Sequence, residues 1–316
     1  MLRKQSTTWP AAAGLTYAVS YMVITQLDCS FVRLEIPTLT QYHVCNPSVI
    51  KTETGYLATV RGCNYDLKNG YNFTIGSSPA KTPDSQNYLA KISQRLEIED
   101  YWFIEERHIR ADKRAVDGVE DLRLFEYKNS LYVMGSALNY TPTPKNTIVI
   151  CEIKGNRLVN PVFINSPTDA PIEKNWMPLV KEDDLYLVYK TSPFELYKLQ
   201  GEELTRVDVA DATENWPSSL SGSSCVMPYD GGYMAVIHRK TIDQKKRLHF
   251  YWHHMLEFDA DMRPKRLGRK FSFEDERVEF CSGLAFDGED VLFSYGLMDQ
   301  KAVILKMPKD SLRRLF

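Results

Sequence analysis

Net charge is almost absent from this 316-residue chain: 39 Lys and Arg stand against 41 Asp and Glu, mixed along the sequence. That balance excludes a chain-wide field for nucleic acid or an anionic membrane. The cysteines are few. Cys29, Cys45, Cys63, Cys151, Cys225 and Cys281 form no C-x-x-C pair, so they read as reduced, largely buried thiols of a cytoplasmic protein. The nucleotide, dinucleotide, zinc-helix and nucleophile-elbow signatures are missing too; "SGSSC" lacks the second glycine of the last. Adjacent His253 and His254 point to opposite faces of a strand, a poor metal site, so no metal or organic cofactor is expected. A membrane span is not expected either. Residues 11–27, "AAAGLTYAVSYMVITQL", carry no charge but are diluted by Thr, Ser, Tyr and Gln, short of the roughly 20 apolar residues a spanning helix needs. Residues 1–30 are read as an N-terminal extension or first strand. The sequons at Asn72 and Asn139 would matter only in a secreted chain.

Beyond residue 30 helical periodicity is also scarce, and what replaces it is a succession of short β-rich runs closed by turn residues. The runs come in pairs. "NPSVI" precedes "GYLATVRG", "DLRLFEY" precedes "NSLYVMGSAL", "NWMPLV" precedes "DLYLVYKT", "SSCVMPY" precedes "GGYMAVIHR", and "FCSGLAF" precedes "DVLFSYGL". With Asn46, Asp121, Asn175, Ser223 and Cys281 as markers, the unit returns roughly every 50 to 75 residues, the scale of a four-stranded propeller blade. The expected fold is all-β, a five-bladed β-propeller over residues 31–316. Asp230-Gly231-Gly232 reads as a hairpin turn without chemistry.

In a propeller the innermost strands converge on a central funnel, so polar residues at their starts are candidates for one site. They are Asn46, with Arg61 and Asn64 after the paired strand; Glu120, Asp121 and Arg123; Glu173, Lys174, Asn175 and Trp176; Ser223, Ser224 and His238; and Glu279 with Ser282. Strand alternation puts Asp121 and Arg123 on one face and Leu122 and Leu124 on the other. Carboxylates and amides for hydroxyls, an indole for a sugar face and cations for an anion suit a carbohydrate. The same residues also have structural readings: Asp121 with Arg123 as an ion pair between blades, Lys174 and Glu173 as solvated loop charges, Trp176 as blade packing, His238 as a satisfied histidine.

These motifs, "NPSVI…GYLATVRGCNY", "GVEDLRLFEYKNSLYVMGSA", "EKNWMPLV", "SGSSCVMPYDGGYMAVIH" and "VEFCSGLAF", resemble in order the blade motifs of five-bladed propellers related to glycoside hydrolase family 130, over about residues 44–305. The branch they are most similar to occurs alone or joined to bacterial glycosyltransferases. The resemblance implies inverting phosphorolysis or hydrolysis of β-mannosides or related glycans without a metal, with inorganic phosphate as co-substrate in the phosphorolytic case. It implies an oligosaccharide or glycoconjugate as ligand, and a glycosyltransferase as partner. The family's acidic-Asp-Pro-Arg motif falls on Glu120, Asp121, Leu122 and Arg123, with leucine in place of proline, and makes Asp121 the general acid. Asn46 corresponds to a substrate-binding asparagine, and Lys174, Asn175 and Trp176 to a Lys-Asn-Trp motif.

Independently of the family, glycoside cleavage needs a proton for the leaving oxygen. Arg123 would lower the Asp121 carboxyl, whereas Glu120 or a bound anion would offset it. Phosphate as nucleophile requires one protein acid and a cationic cradle, for which Arg61, Arg123, Lys174 and His238 are available. Water requires a second carboxylate, for which Glu279 or Glu173 is available. The alternative is a catalytically silent, glycan-binding propeller that assists a glycosyltransferase.

Overall fold

The computed structural model describes residues 21–37, 42–69, 72–75, 83–106, 118–138, 146–246 and 248–316. Most of the N-terminal extension, the sequon at Asn139 and part of the connection after Ile104 lie outside them. The fold is all-β with a propeller arrangement. Four sheets have four antiparallel strands each. The first runs through His43–Lys51, Gly55–Cys63, Ser85–Ser93 and Ile98–Ile104; the second through Glu120–Tyr127, Ser130–Leu138, Asn146–Lys154 and Arg157–Ile164. The third comprises Met177–Lys181, Asp184–Thr191, Phe194–Gln200 and Glu203–Val207. The last comprises Glu279–Asp287, Asp290–Leu297 and Lys301–Pro308, and its fourth strand, Ser30–Arg33, comes from the other end of the chain. Ordering that strand ties the start of the propeller to its end.

Five four-stranded blades were expected; four sheets take that form, and the fourth repeat does not. Its inner strand is split into Leu220–Gly222 and Met227–Tyr229, both paired to the long strand Gly232–Asp243, in a seven-stranded sheet that also holds Leu248–Phe258 and Met22–Val23. The interruption spans Ser223–Val226, where Ser224 Oγ accepts the Val236 amide at 2.9 Å and Val226 N donates to Pro178 O of the preceding blade at 2.9 Å. Side-chain and neighbouring-blade partners thus replace the missing ladder bonds.

Neighbouring blades meet across close polar links: Leu124 N donates to Ser48 Oγ at 3.0 Å, Val49 N to Ser294 Oγ at 3.1 Å, and Ser282 Oγ to Pro47 O at 3.2 Å. Apolar side chains fill the spaces between blades. Leu122 and Leu124 pack with Ile50, Leu89 and Val133 between the first two, while Phe271, Phe273, Phe293 and Tyr295 pack under the last. Removing such surface from water supplies the driving force, on the order of 1.5–3 kcal/mol per large side chain. The cysteines are all free, five of them buried. Among the described residues no helix is long and apolar enough to cross a membrane.

Candidate functional site

The inner strands are not regular where they meet. Pairing slips between Cys45 and Ser48, between Glu120 and Arg123, and between Cys281 and Gly283, each a β-bulge that leaves extra residues outside the ladder. Asn46 and Asp121 sit in the first two bulges with φ of 44° and 53°. Asn175 precedes the third inner strand with φ of 63°. Left-handed backbone is disfavoured for residues with a Cβ, and Asn and Asp tolerate it best. Asp121 and Arg123 therefore do not share a face by simple alternation, because the bulge re-aims Asp121.

These residues form one cluster. Asp121 Oδ1 accepts from Asn46 Nδ2 at 2.8 Å and from an Arg61 terminal nitrogen at 2.9 Å. The other Arg61 terminal nitrogen donates to Glu120 at 3.1 Å and to Tyr65 Oη at 3.2 Å, and its Nε to Ser85 Oγ at 2.9 Å. Glu120 also accepts from Lys174 Nζ at 2.6 Å. Arg123 is buried and takes a different set of acceptors. Its nitrogens donate to Ser223 O at 2.9 Å, Asp121 O at 2.8 Å and Asn175 Oδ1 at 3.3 Å, and its guanidinium lies over the Phe280 ring at 5.4 Å. The Asp121–Arg123 ion pair of the structural reading is thus a backbone contact, and Arg61 is the cation on the Asp121 carboxylate.

A residue not expected from the sequence completes the cluster. Asp299, in the hairpin loop Met298–Gln300 of the last blade, accepts from Asn46 Nδ2 at 3.4 Å and from Tyr65 Oη at 3.2 Å, also with left-handed φ, 53°. One amide therefore serves two carboxylates. Their proton affinities diverge. Burial raises that of Asp121, but Arg61, then Arg123, the Asn46 amide and Lys174 outweigh it and hold the carboxyl below its ordinary range. For Asp299 burial dominates over Arg61, and the Asp121 charge adds to it, so this carboxyl is pushed up. Glu120, raised by burial, is brought down by Arg61 and Lys174. In the sequence Asp299 looks like any Asp in a tight turn, and only the reach of that turn to Asn46 marks it.

The remaining expected site residues lie elsewhere or do other work. Trp176 is 1% exposed, packs edge-on to Tyr189 and donates to Glu173 at 2.9 Å; a buried indole cannot offer a face to sugar. Glu279 is fully buried, and its carboxylate accepts the amides of Phe273, Glu274 and Glu276 at 2.6, 2.8 and 2.9 Å, so it clasps its own loop. Asn64 is buried and accepts the Asp84 amide at 2.9 Å, bracing the first blade. His238 is buried against Ser223 Oγ at 2.8 Å and stacked on Tyr251. Burial, then Arg123, pulls its pKa down to about 3, so it is a neutral neighbour of the site and no part of a cationic cradle. Ser224 and Ser282 satisfy backbone groups. The adjacent histidines differ: His253 is enclosed by Phe271 and Phe273, with neither ring nitrogen hydrogen-bonded among the described residues, and His254 meets Gly268 O.

Asp121 and Glu120 keep side-chain exposures of 19% and 17%, and Lys174 41%, so the cluster is reachable by a ligand. A separate cavity of about 680 Å³ lies among the hairpin turns at the other ends of the inner strands, beside Glu182, Asp230 and Phe286. Three cations, Arg61, Arg123 and Lys174, stand here against two lowered carboxyls and one raised carboxyl. With all three carboxyls ionised, the charges of the cluster balance.

No protein-family model matches the sequence, and no curated protein does. Solved structures do match. A β-1,2-mannobiose phosphorylase from Listeria innocua superposes with a TM-score of 0.61 at 12% identity, over 90% of this chain and 99% of that one. A structure from work on the GH130 family, whose mannoside phosphorylases are described as containing glycoside hydrolases that target β-1,2 mannosidic linkages in Candida mannan, matches at 0.59 and 10% identity, over 92% and 97%. MPT-4, a mannose phosphorylase from Leishmania mexicana in complex with phosphate ion, matches at 0.57 and 9%, over 91% and 90%. At such identities the likeness establishes the propeller fold.

Proposed function

We propose that the chain is a carbohydrate-active propeller, its seven-stranded sheet serving as the fifth blade, that cleaves a β-mannoside-like bond with inversion by phosphorolysis. The observation that carries this is the pair Asp121 and Asp299 on one Asn46 amide, with proton affinities pushed apart. Paired groups of unlike pKa are how a site separates acid from base roles. The acid role implied for Asp121 passes to Asp299, whose carboxyl is pushed up, and Asp121, held low, orients the sugar hydroxyls. A phosphate oxygen attacks the anomeric carbon from the opposite face, the glycosidic C–O bond breaks, and the leaving oxygen takes the Asp299 proton. The products are an α-sugar 1-phosphate and a shortened glycan.

Three features support phosphate over water. Carboxylates bound to one nitrogen lie closer than the roughly 6.5–9.5 Å that leaves room for an attacking water in inverting hydrolases. The alternative bases are also engaged, Glu279 by three amides and Glu173 by Trp176. Lys174, the cation of the cluster that stays 41% exposed, suits an anion. The experiment offers manno-oligosaccharides with and without phosphate to the parent, Asp121→Asn and Asp299→Asn. Sugar 1-phosphate from the parent, reduced about 10²-fold or more in either variant, is expected. Equal turnover by the variants would overturn the acid pair, and free mannose released without phosphate would overturn the nucleophile.

One observation favours the silent, glycan-binding reading: Asp121 is already satisfied by Arg61 and Asn46. Its signature in the same assay is binding by the parent with no product under either condition.

A further inference from the structure

The strand that carries His238 does not stop at the funnel. Gly232–Asp243 pairs with Leu248–Phe258 through to Asp243↔Leu248, past the last inner-strand pairing at Leu220↔Arg239. At about 3.4 Å per residue, the hairpin reaches roughly 17 Å beyond His238. This arm departs from the charge balance of the chain. Between positions 239 and 246, "RKTIDQKK", four Lys and Arg face a single acid, Asp243. That acid is spent on the turn, because its Oδ1 accepts the Lys245 and Lys246 amides at 3.0 Å each.

The cations around the arm repel one another. Lys240 and Tyr251 are cross-strand partners on the face that holds His238, with the ammonium 5.9 Å from the Tyr251 ring. Burial and then the charge of Lys174, the cluster's own lysine, lower the Lys240 pKa. On the opposite face Arg239 pairs with Trp252, and Lys270 sits 3.6 Å over that indole. Burial and then Arg239 bring Lys270 to about 8. Arg277, whose guanidinium contacts His249 O at 3.5 Å, is lowered by burial. Arg239, Lys245, Lys246, Lys270 and Arg277 make no ion pair among the described residues, whereas most other blades pair their surface lysines with carboxylates, as at Lys190–Glu195 and Lys198–Asp184.

We propose that this arm docks the charged portion of an anionic glycan, a saccharide chain bearing phosphate esters or carboxylates, whose terminal sugar enters the funnel. The inference rests on the reading of the funnel as a glycan site. Arginines and lysines that make no ion pair among the described residues are stabilised by a ligand anion. The arm leads from Lys174 outward, so one extended ligand meets both.

The test measures binding of three probes by calorimetry: neutral mannotetraose, the same tetrasaccharide with a terminal phosphate ester, and a mannuronate tetrasaccharide. The parent is expected to bind the charged probes about tenfold more tightly at low ionic strength, and the advantage shrinks as the Debye length falls below about 8 Å. Lys245→Gln/Lys246→Gln and the triple variant with Arg277→Gln lose the advantage and keep neutral binding and the parent unfolding midpoint. The tip lysines are exposed, so the double variant tests the arm without a burden on folding. Preference for phosphate ester over uronate, or the reverse, identifies the anion. Equal affinity for charged and neutral probes overturns the proposal, as does tighter binding of a single-stranded oligonucleotide than of any glycan. Asp121→Asn that binds the charged probes like the parent supports the arm even where no turnover is found, so failure of the funnel chemistry and failure of the arm are read separately.

Discussion

Gly296 lies directly against the side chain of Asn46: a Cβ built on it would stand 1.9 Å from Asn46 Oδ1 and 2.7 Å from its backbone nitrogen. The last blade thereby leaves room for the amide that holds Asp121 and Asp299. Gly296→Ala is expected to expel Asn46 from that position, because the backbone contact cannot yield. Turnover or glycan binding should fall at least tenfold with a smaller loss of stability, measured by kinetics beside urea unfolding. Unchanged function would show that Asn46 does not bridge the carboxylates.

Arg61 and Lys174 both meet Glu120, but only Arg61 is buried. Arg61→Met leaves Glu120 and Asp121 without their main counter-charge and is expected to destabilise by about 3–5 kcal/mol. Lys174→Met, at a half-exposed ammonium, should change stability by less than about 1 kcal/mol. Chemical denaturation of the two variants should therefore separate them clearly.

Trp176→Phe distinguishes packing from sugar stacking. The indole is in the core and holds Glu173, whose second carboxylate oxygen has no hydrogen-bond partner among the described residues. Removing Nε1–H from this buried carboxylate is expected to lower stability by about 1–3 kcal/mol. Glycan affinity should stay at the parent value, and a tenfold loss without destabilisation would restore the sugar-platform role.

Glu279 links stability to pH. Burial lifts its pKa from 4.5 to about 7 against the pull of three backbone amides. Below about pH 4.5 both folded and unfolded chains hold the proton and the contribution is complete. As pH rises through 7 the unfolded chain ionises first, so stability falls by about 3 kcal/mol. Asp299, also raised, acts in the same direction. Urea midpoints at pH 5 and pH 8 should differ less in Glu279→Gln than in the parent; an identical pH slope would mean that Glu279 ionises freely in the folded state.

Much of the fold was legible because β-structure writes itself locally. Paired apolar runs, turn residues and a recurring unit marked the blades, and the positions Asn46, Asp121 and Asn175 were found because each stands at the start of an apolar run. The split fourth inner strand was hidden, since "SSCVMPY" has the same β character as its counterparts and only its links to Pro178 and Val236 reveal the break. The exchange of Arg123 for Arg61 as partner of Asp121 was hidden for a related reason. A bulge changes which way a side chain points without changing the composition of the strand.

By itself, then, the sequence determined an all-β repeat chain whose polar residues collect at the starts of inner strands, since alternation, turns and repeat length are properties of neighbouring residues. Tertiary structure decided the rest. It closed the ring with Ser30–Arg33, buried Trp176, Glu279 and His238, and brought Asp299 to an amide 253 positions away. Burial and charge around a carboxylate are sums over residues distant in sequence, and only a folded chain sets them.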